Sequence, residues 1–129
     1  MHCQLQSPER VLFNGEASMV VARSQEGEFA VMDKHAPFIA TLEACPLRIK
    51  TEEDEQVFAI NSGVIQVTET GVTILAQQAV PASDIDLEEV RAMSTELEHD
   101  NERADETGYA IKKEKAFLDV QEKIGETFG

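Results

Sequence analysis

Before residue 83 the chain never holds one period long enough to make a helix. It offers seven short runs instead, CQLQ, ASMVVA, FAVM, LRIK, QVFAIN, VIQVT and VTILA, each apolar throughout or alternating. Between them stand Asn14-Gly15, Glu26-Gly27, Cys45-Pro46, the acidic run Glu52 to Glu55, Ser62-Gly63 and Thr70-Gly71, all turn or hairpin signals. Runs this short bury their apolar side chains as strands, and seven of them pack as a sandwich or barrel. Residues 1–83 are thus expected to form an N-terminal all-β sandwich. Its core must be aliphatic, because aromatic residues make up 5% of the chain and tryptophan is absent.

After Pro81 the period changes. Leu87, Val90, Met93 and Leu97 recur at spacings of three and four, while Glu88, Glu89, Glu96 and Glu98 fall mostly elsewhere around the helix. Asp86 can cap, Glu89 stands three residues on as in a capping box, and Ile85 precedes the cap where it can staple onto Val90. The pattern predicts a helix from about Leu87 to Arg103. Gly108 interrupts it; Ala110, Phe117, Val120 and Ile124 mark a second stripe, with Thr107 in cap position. Residues 84–129 are therefore read as an α-helical hairpin.

Charge divides the chain in the same place. The net charge is −14, of which residues 1–83 carry −6, residues 84–106 carry −8 and residues 107–129 none. Phosphate backbones are bound by clustered Lys and Arg, so a nucleic-acid partner is excluded and basic protein surfaces are favoured. The start, MHCQLQSPERV, has no charged segment followed by a long apolar run, and no stretch of about 18 apolar residues occurs. The expectation is a soluble intracellular chain without a membrane span. Cys3 and Cys45 read as free, partly buried thiols rather than a disulfide framework.

His35 is the one residue in the first part that invites a chemical reading. No nucleophile elbow, metal-spaced histidine pair or glycine-rich phosphate loop accompanies it, so no catalytic role is assigned. Pro37 forces Ala36 into an extended conformation and ends a turn begun after Met32, with the imidazole free to hold loop backbone. His35 and Pro37 are accordingly read as structural turn residues. His2, Cys3, His35 and Cys45 match no zinc spacing, and Cys3 with Leu5 reads as the inward face of a strand; no metal or other cofactor is expected. The acidic run Thr51 to Gln56 reads as a solvated turn.

The string SPERVLFNGEA, followed in order by EGEFAV, HAP, LRI, SGVIQV and VTILA, resembles the N-terminal β-sandwich of the epsilon subunit of F-type ATP synthase. SDIDLEEVRA is similar to the start of that family's C-terminal helical hairpin. Two departures stand out: Asp33-Lys34 where the family often has Pro-Gly, and Val64 where it has a second glycine.

The resemblance implies a non-catalytic rotor subunit in the central stalk of a rotary ATP synthase, peripheral on the cytoplasmic face of a bacterial inner membrane. It implies docking with the gamma subunit and contact between Glu26, Gly27 and Glu28 and the membrane-embedded proteolipid ring. It also implies a hairpin that lies folded on the sandwich or extends into the catalytic head and blocks hydrolysis, where Lys112, Lys115 and Lys123 are the basic residues on offer. Some bacterial members bind ATP in the folded hairpin through Ile/Leu-Asp-x-x-Arg-Ala. This chain has Leu87-Glu88-x-x-Arg91-Ala92 with only Arg103 downstream, so Glu88 and Arg91 are the positions concerned. Ten acidic residues against two arginines over residues 84–106 argue against a triphosphate there. The runner-up reading, from another class, is an intracellular β-sandwich binding module carrying a helical dimerisation hairpin unrelated to ATP synthases.

Overall fold

The computed structural model describes residues 1–101 and 108–128, with side chains described for residues 1–95 and 115–126. Among the described residues the chain forms ten strands, one 3-10 turn and two helices. The strands are β1 (His2–Gln6), β2 (Val11–Glu16), β3 (Met19–Ser24), β4 (Gly27–Met32), β5 (Phe38–Leu42), β6 (Cys45–Lys50), β7 (Glu55–Ile60), β8 (Gly63–Val67), β9 (Gly71–Ala76) and β10 (Ala79–Pro81). The 3-10 turn Ala82–Asp84 leads into α1 (Leu87–Asn101) and α2 (Gly108–Phe128). The β-sandwich and the C-terminal helical pair both agree with the sequence pattern.

The strands hydrogen-bond in the order β10-β7-β6-β3-β5-β8-β9-β1-β2, with β4 paired to β3. All pairs are antiparallel except β1 with β9. The ribbon folds into two layers at β3, which pairs with β6 through Met19–Val21 and with β5 at Ser24. Side chains of Cys3, Leu5, Val20, Val31, Leu47, Ile49, Ile65 and Ile74 alternate inward and are fully buried between the layers, an almost wholly aliphatic core. At the open side, the Arg10 guanidinium lies 4.0 Å from Asp84, linking the β1–β2 turn to the 3-10 turn.

Three strands were not foreseen, and two turn signals were misread. Asn14-Gly15 lies inside β2, paired with Gln4 and Cys3, and the chain reverses at Ala17-Ser18 instead. β2 is an edge strand beside a register shift at Leu5/Gln6, where its side chains lose the clean alternation that marks a strand. Cys45-Pro46 opens β6: the ladder with β3 stops at Arg48, so Pro46 has only β7 beside it. β5 follows directly on Pro37, and β10 is three residues long and ends in proline. The acidic turn is Thr51–Asp54, held by hydrogen bonds from the Thr51 N–H to the Asp54 carbonyl and from the Thr51 hydroxyl to the Asp54 carboxylate. Glu55 already belongs to β7 and pairs with Arg48, whose hydrogen bond holds the Glu55 carboxyl below the usual range.

α1 starts at the foreseen cap: the Asp86 carboxylate accepts from the N–H groups of Glu88 (3.0 Å) and Glu89 (3.3 Å). α2 lies on β6, β7 and the 3-10 turn, while α1 packs chiefly on α2. Phe117, Val120 and Ile124 of the expected second stripe bury against Val57 and Ala59, with Ile85 packed beside them. Each such side chain removes apolar area worth roughly 1.5 to 3 kcal/mol before chain entropy is subtracted. In the first stripe Val90 is buried, but Met93 is 48% exposed, contrary to its place in the pattern. A helix that rests on one neighbouring helix buries a narrower stripe than one lying on a sheet. Expectations for Glu96, Leu97, Glu98, Ala110 and Lys112, and for Arg103 and Thr107, fall outside the described side chains and residues.

Candidate functional site

The first candidate surface is one end of the sandwich. β3 and β4 are joined by Gln25–Glu26, with Ser24 paired to Gly27. Glu26 N–H donates to the Ser24 hydroxyl at 3.2 Å, and Gly27 has φ +125°, a conformation open to glycine and strained for other residues. The acidic tip is therefore Glu26 alone: Glu28 is the second residue of β4, directly across from Arg23, rather than part of the turn as the sequence suggested.

The loop from Asp33 to Pro37 leaves the other end of β4, where Asp33 lies beside Ser18 and Thr51–Asp54, and its His35 lines the same groove as the hairpin tip. The His35 N–H donates to the Met32 carbonyl at 3.2 Å, closing a turn in which Lys34 has φ +67°. The His35 Nδ1 lies 2.8 Å from the Ala36 carbonyl oxygen. A carbonyl only accepts, so Nδ1 carries the hydrogen. The ring lies tilted at 56° to that of Phe38, centroids 5.1 Å apart, and Phe38 meets Phe29 edge-on at 5.7 Å. A groove of about 650 Å³ results, lined by Glu26, Glu28, Phe29, His35, Phe38 and Ile39 among others. The structure thus brings Glu26, Gly27, Glu28 and His35 to one groove, while Pro37 is exposed and does not line it.

The second candidate surface was not visible in the sequence. On the outer face of β5, β8, β9, β1 and β2, register sets two rows of residues side by side. One row is Ile39, Gln66, Thr73, Gln4 and Asn14; the next is Thr41, Val64, Leu75, Gln6 and Val11. None of the ten is charged, in a chain of which 28% is charged. Ile39 is 69% exposed, Val11 52% and Leu75 48%. Apolar side chains grouped on a neutral sheet face mark a docking surface better than scattered exposed ones do.

On the helical pair, Glu88 and Arg91 stand at the start of α1. The Glu88 backbone is used by the Asp86 cap. The Arg91 guanidinium donates from Nη2 to Glu126 at 2.8 Å and from Nε to Glu122 at 3.3 Å, and these bonds, Glu126 first, raise its pKa. Two carboxylates of α2 therefore occupy the fork that an anionic ligand would need. Lys123 and Asp119 face a separate cleft under α2, whose other wall carries Arg23, Glu28 and Arg48.

The remaining candidates do not converge. Cys3 and Cys45 are fully buried in the core rather than partly, and burial pushes the Cys3 thiol up to about 12 and that of Cys45 upward too. Both stay neutral thiols. His2 and His35 are exposed. Among the described residues, no group of three or more His, Cys, Asp or Glu side chains is placed to hold a metal ion.

Fold and surfaces together define a small β-sandwich protein that covers one face with its own helices and leaves another open, with two uncharged rows across its middle and His2 and Glu16 at its margin. Residues 1–82 match the model of the ATP synthase delta/epsilon chain β-sandwich domain. The ATP synthase epsilon chain of Brevibacillus brevis is 42% identical over 93 residues, covering 71% of this chain and 70% of that one. That of a Bradyrhizobium species is 33% identical over 130 residues, covering 98% and 95%. This chain belongs to the ATP synthase epsilon-chain family.

Solved structures agree on the fold. A chain of the Euglena gracilis mitochondrial ATP synthase superposes with a TM-score of 0.79 at 23% identity, covering 98% of this chain and 80% of that one. A chain from the central stalk and c-ring of the Tetrahymena thermophila mitochondrial enzyme gives 0.62 at 17% identity, covering 97% and 96%.

Proposed function

We propose that this chain is the non-catalytic central-stalk subunit of a rotary ATP synthase, turning with the rotor and joining the proteolipid ring to the gamma subunit. Membership of the epsilon-chain family supports the subunit role. The single observation that carries the docking is the uncharged sheet face bearing Ile39, Val64, Leu75 and Val11. A surface of that kind suits a lasting protein interface more than a solvated one, and gamma is assigned to it. The end groove with Glu26, Gly27 and Glu28 is assigned to the ring, where its acidic rim favours a basic partner loop. The chain acts at the cytoplasmic face of the membrane as a peripheral subunit; among the described residues no helix is long and apolar enough to cross a membrane.

ATP is not a ligand of this hairpin on the same reading, because Arg91 is already engaged by Glu122 and Glu126. Any restraint on hydrolysis then comes from the hairpin's conformation, with Lys115 and Lys123 carried toward the catalytic head on extension. The apolar stripe of α2 that a dimerisation hairpin would use is spent on Val57 and Ala59, which speaks against the alternative of a dimeric binding module.

Co-purification with gamma tests the docking. Leu75→Asp should weaken the complex by about tenfold or more, since a carboxylate would be buried unpaired at its centre. Retention at wild-type affinity would move gamma to another face. For the ring contact, Glu28→Lys should lower the coupling of ion flow to ATP synthesis in reconstituted vesicles, with only a small fall in the isolated chain's melting temperature from setting a lysine across from Arg23; an unaltered coupling ratio would return Glu28 to a purely structural place.

A further inference from the structure

Three strands, β2, β4 and β10, have a hydrogen-bonded neighbour on one side only, and two of them are ill suited to another. β10 is three residues long and ends in Pro81, which has no N–H to give. β4 carries the charged Glu28 in its second position and runs directly into Asp33-Lys34. β2 is different. Its six residues, VLFNGE, include no proline and no lysine, and their one charge stands at the end.

Which backbone groups β2 offers follows from its pairing with β1. Met1 and Ala17 exchange two hydrogen bonds, at 2.9 and 3.0 Å, and so form a hydrogen-bonded pair. Such pairs alternate with non-bonded ones along an antiparallel ladder. Gly15 with Cys3 and Phe13 with Leu5 therefore exchange bonds as well, while Glu16 and Asn14 turn their N–H and C=O groups away from β1. Among the described residues no strand pairs with β2 on that side. The register shift leaves Leu12 without a partner but lies outside this stretch, so residues 13–16 present a regular edge.

The side chains along the edge define what fits it. Gly15 lies across from the buried Cys3, and a Cβ there would meet nothing nearer than the Phe13 ring at 3.8 Å, so an aliphatic side chain on an added strand has room beside it. Glu16 has a side chain 78% exposed at the margin of the outer face, where a Lys or Arg directly opposite is favoured. Asn14 and Val11 end the two uncharged rows of the open face, so a strand added to β2 continues that face without a break.

We propose that β2 is a strand-docking edge, where an extended segment of gamma bonds to the N–H and C=O groups of Asn14 and Glu16, with an aliphatic side chain beside Gly15 and a basic one across from Glu16. This rests on the assignment of gamma to the open face. It adds main-chain bonding, which fixes the partner's register as side-chain contact on the face alone does not.

Amide hydrogen exchange resolved by residue tests it on the full chain. Without gamma, the N–H groups of Phe13 and Gly15 should be protected and those of Asn14 and Glu16 should exchange fast; purified gamma should slow the latter two by about tenfold or more. Asn14→Pro removes one outward donor and none of the bonds to β1, so it should weaken the gamma complex by about tenfold with the strand spectrum retained. Asn14 and Glu16 amides that stay fast in a gamma complex still weakened by Leu75→Asp overturn the strand addition and leave the face assignment standing. Slowed amides with Leu75→Asp without effect support the strand addition and overturn the face assignment. Slowing in the chain alone as its concentration rises makes a second copy the occupant and overturns the choice of gamma. If Asn14→Pro does not fold, the exchange pattern of the native chain decides.

Discussion

The two outer faces of the sandwich meet the same requirement in opposite ways. On β7, Val57 and Ala59 point outward and are covered by α2, leaving the strand buried on both sides. On β8 and β9, Val64 and Leu75 point outward and stay open, flanked by Gln66 and Thr73. A face that only had to be wet would carry Lys and Glu, which guard sheets against unwanted association. Leaving them out exposes the chain to association, and the open face is best understood as half of an interface whose other half lies on a partner. The covered face shows what the same kind of surface does when its partner is in cis.

The most severe test of the contrast is a charge under α2. Ile124→Asp would place a carboxylate in a site where the native side chain is 2% exposed, at a cost of about 3 kcal/mol or more. Helical signal should fall and α2 amides lose protection while the strands still melt cooperatively; unchanged helicity would mean that the apolar contact with Val57 and Ala59 does not hold α2. Cutting the chain after residue 83 is milder, because it uncovers Val57 and Ala59 without burying a charge. We expect a strand spectrum, a cooperative melt and a loss of about 2 kcal/mol, with increased binding of a hydrophobic dye. A chain that shows no strand signal would shift the domain boundary proposed here.

On the open face the same chemistry should do little to the isolated protein. Leu75→Asp is expected to change unfolding free energy by about 0.5 kcal/mol or less, measured by urea denaturation. A loss several times larger would show that this face is packed against the chain itself. Away from both faces, Lys34→Gly removes the left-handed strain at φ +67° and should stabilise by about 0.5 kcal/mol, the gain offset partly by the freer unfolded chain. A destabilised variant would mean that the Lys34 side chain holds the loop.

How much of this was written locally in the sequence varies by element. QVFAIN is apolar from Val57 to Ile60 and becomes the strand buried on both sides; VIQVT and VTILA are interrupted by Gln66 and Thr73 and become one-sided. Asp86 caps α1 from a position visible in the sequence itself. Asn14-Gly15 and Cys45-Pro46 misled because turn-forming residues are also tolerated at edges and ladder ends. The open face was hidden for a different reason: it exists only when five strands are set in register, and no single run contains more than two of its residues. Arg91 likewise finds its partners 31 and 35 residues along the chain, where no local pattern points.

β3 belongs to both layers, bonded to β6 at one end and to β5 at the other. Two separate sheets would be tied only by the side chains interdigitated between them, with no backbone hydrogen bond crossing from one layer to the other. Here a push on β9 travels through β8 and β5 into β3, and from there through β6 to β7, along backbone hydrogen bonds the whole way. Sliding one layer would require that seam to tear. The sandwich therefore responds to torque as one stiff block, with its give confined to the helices on its back.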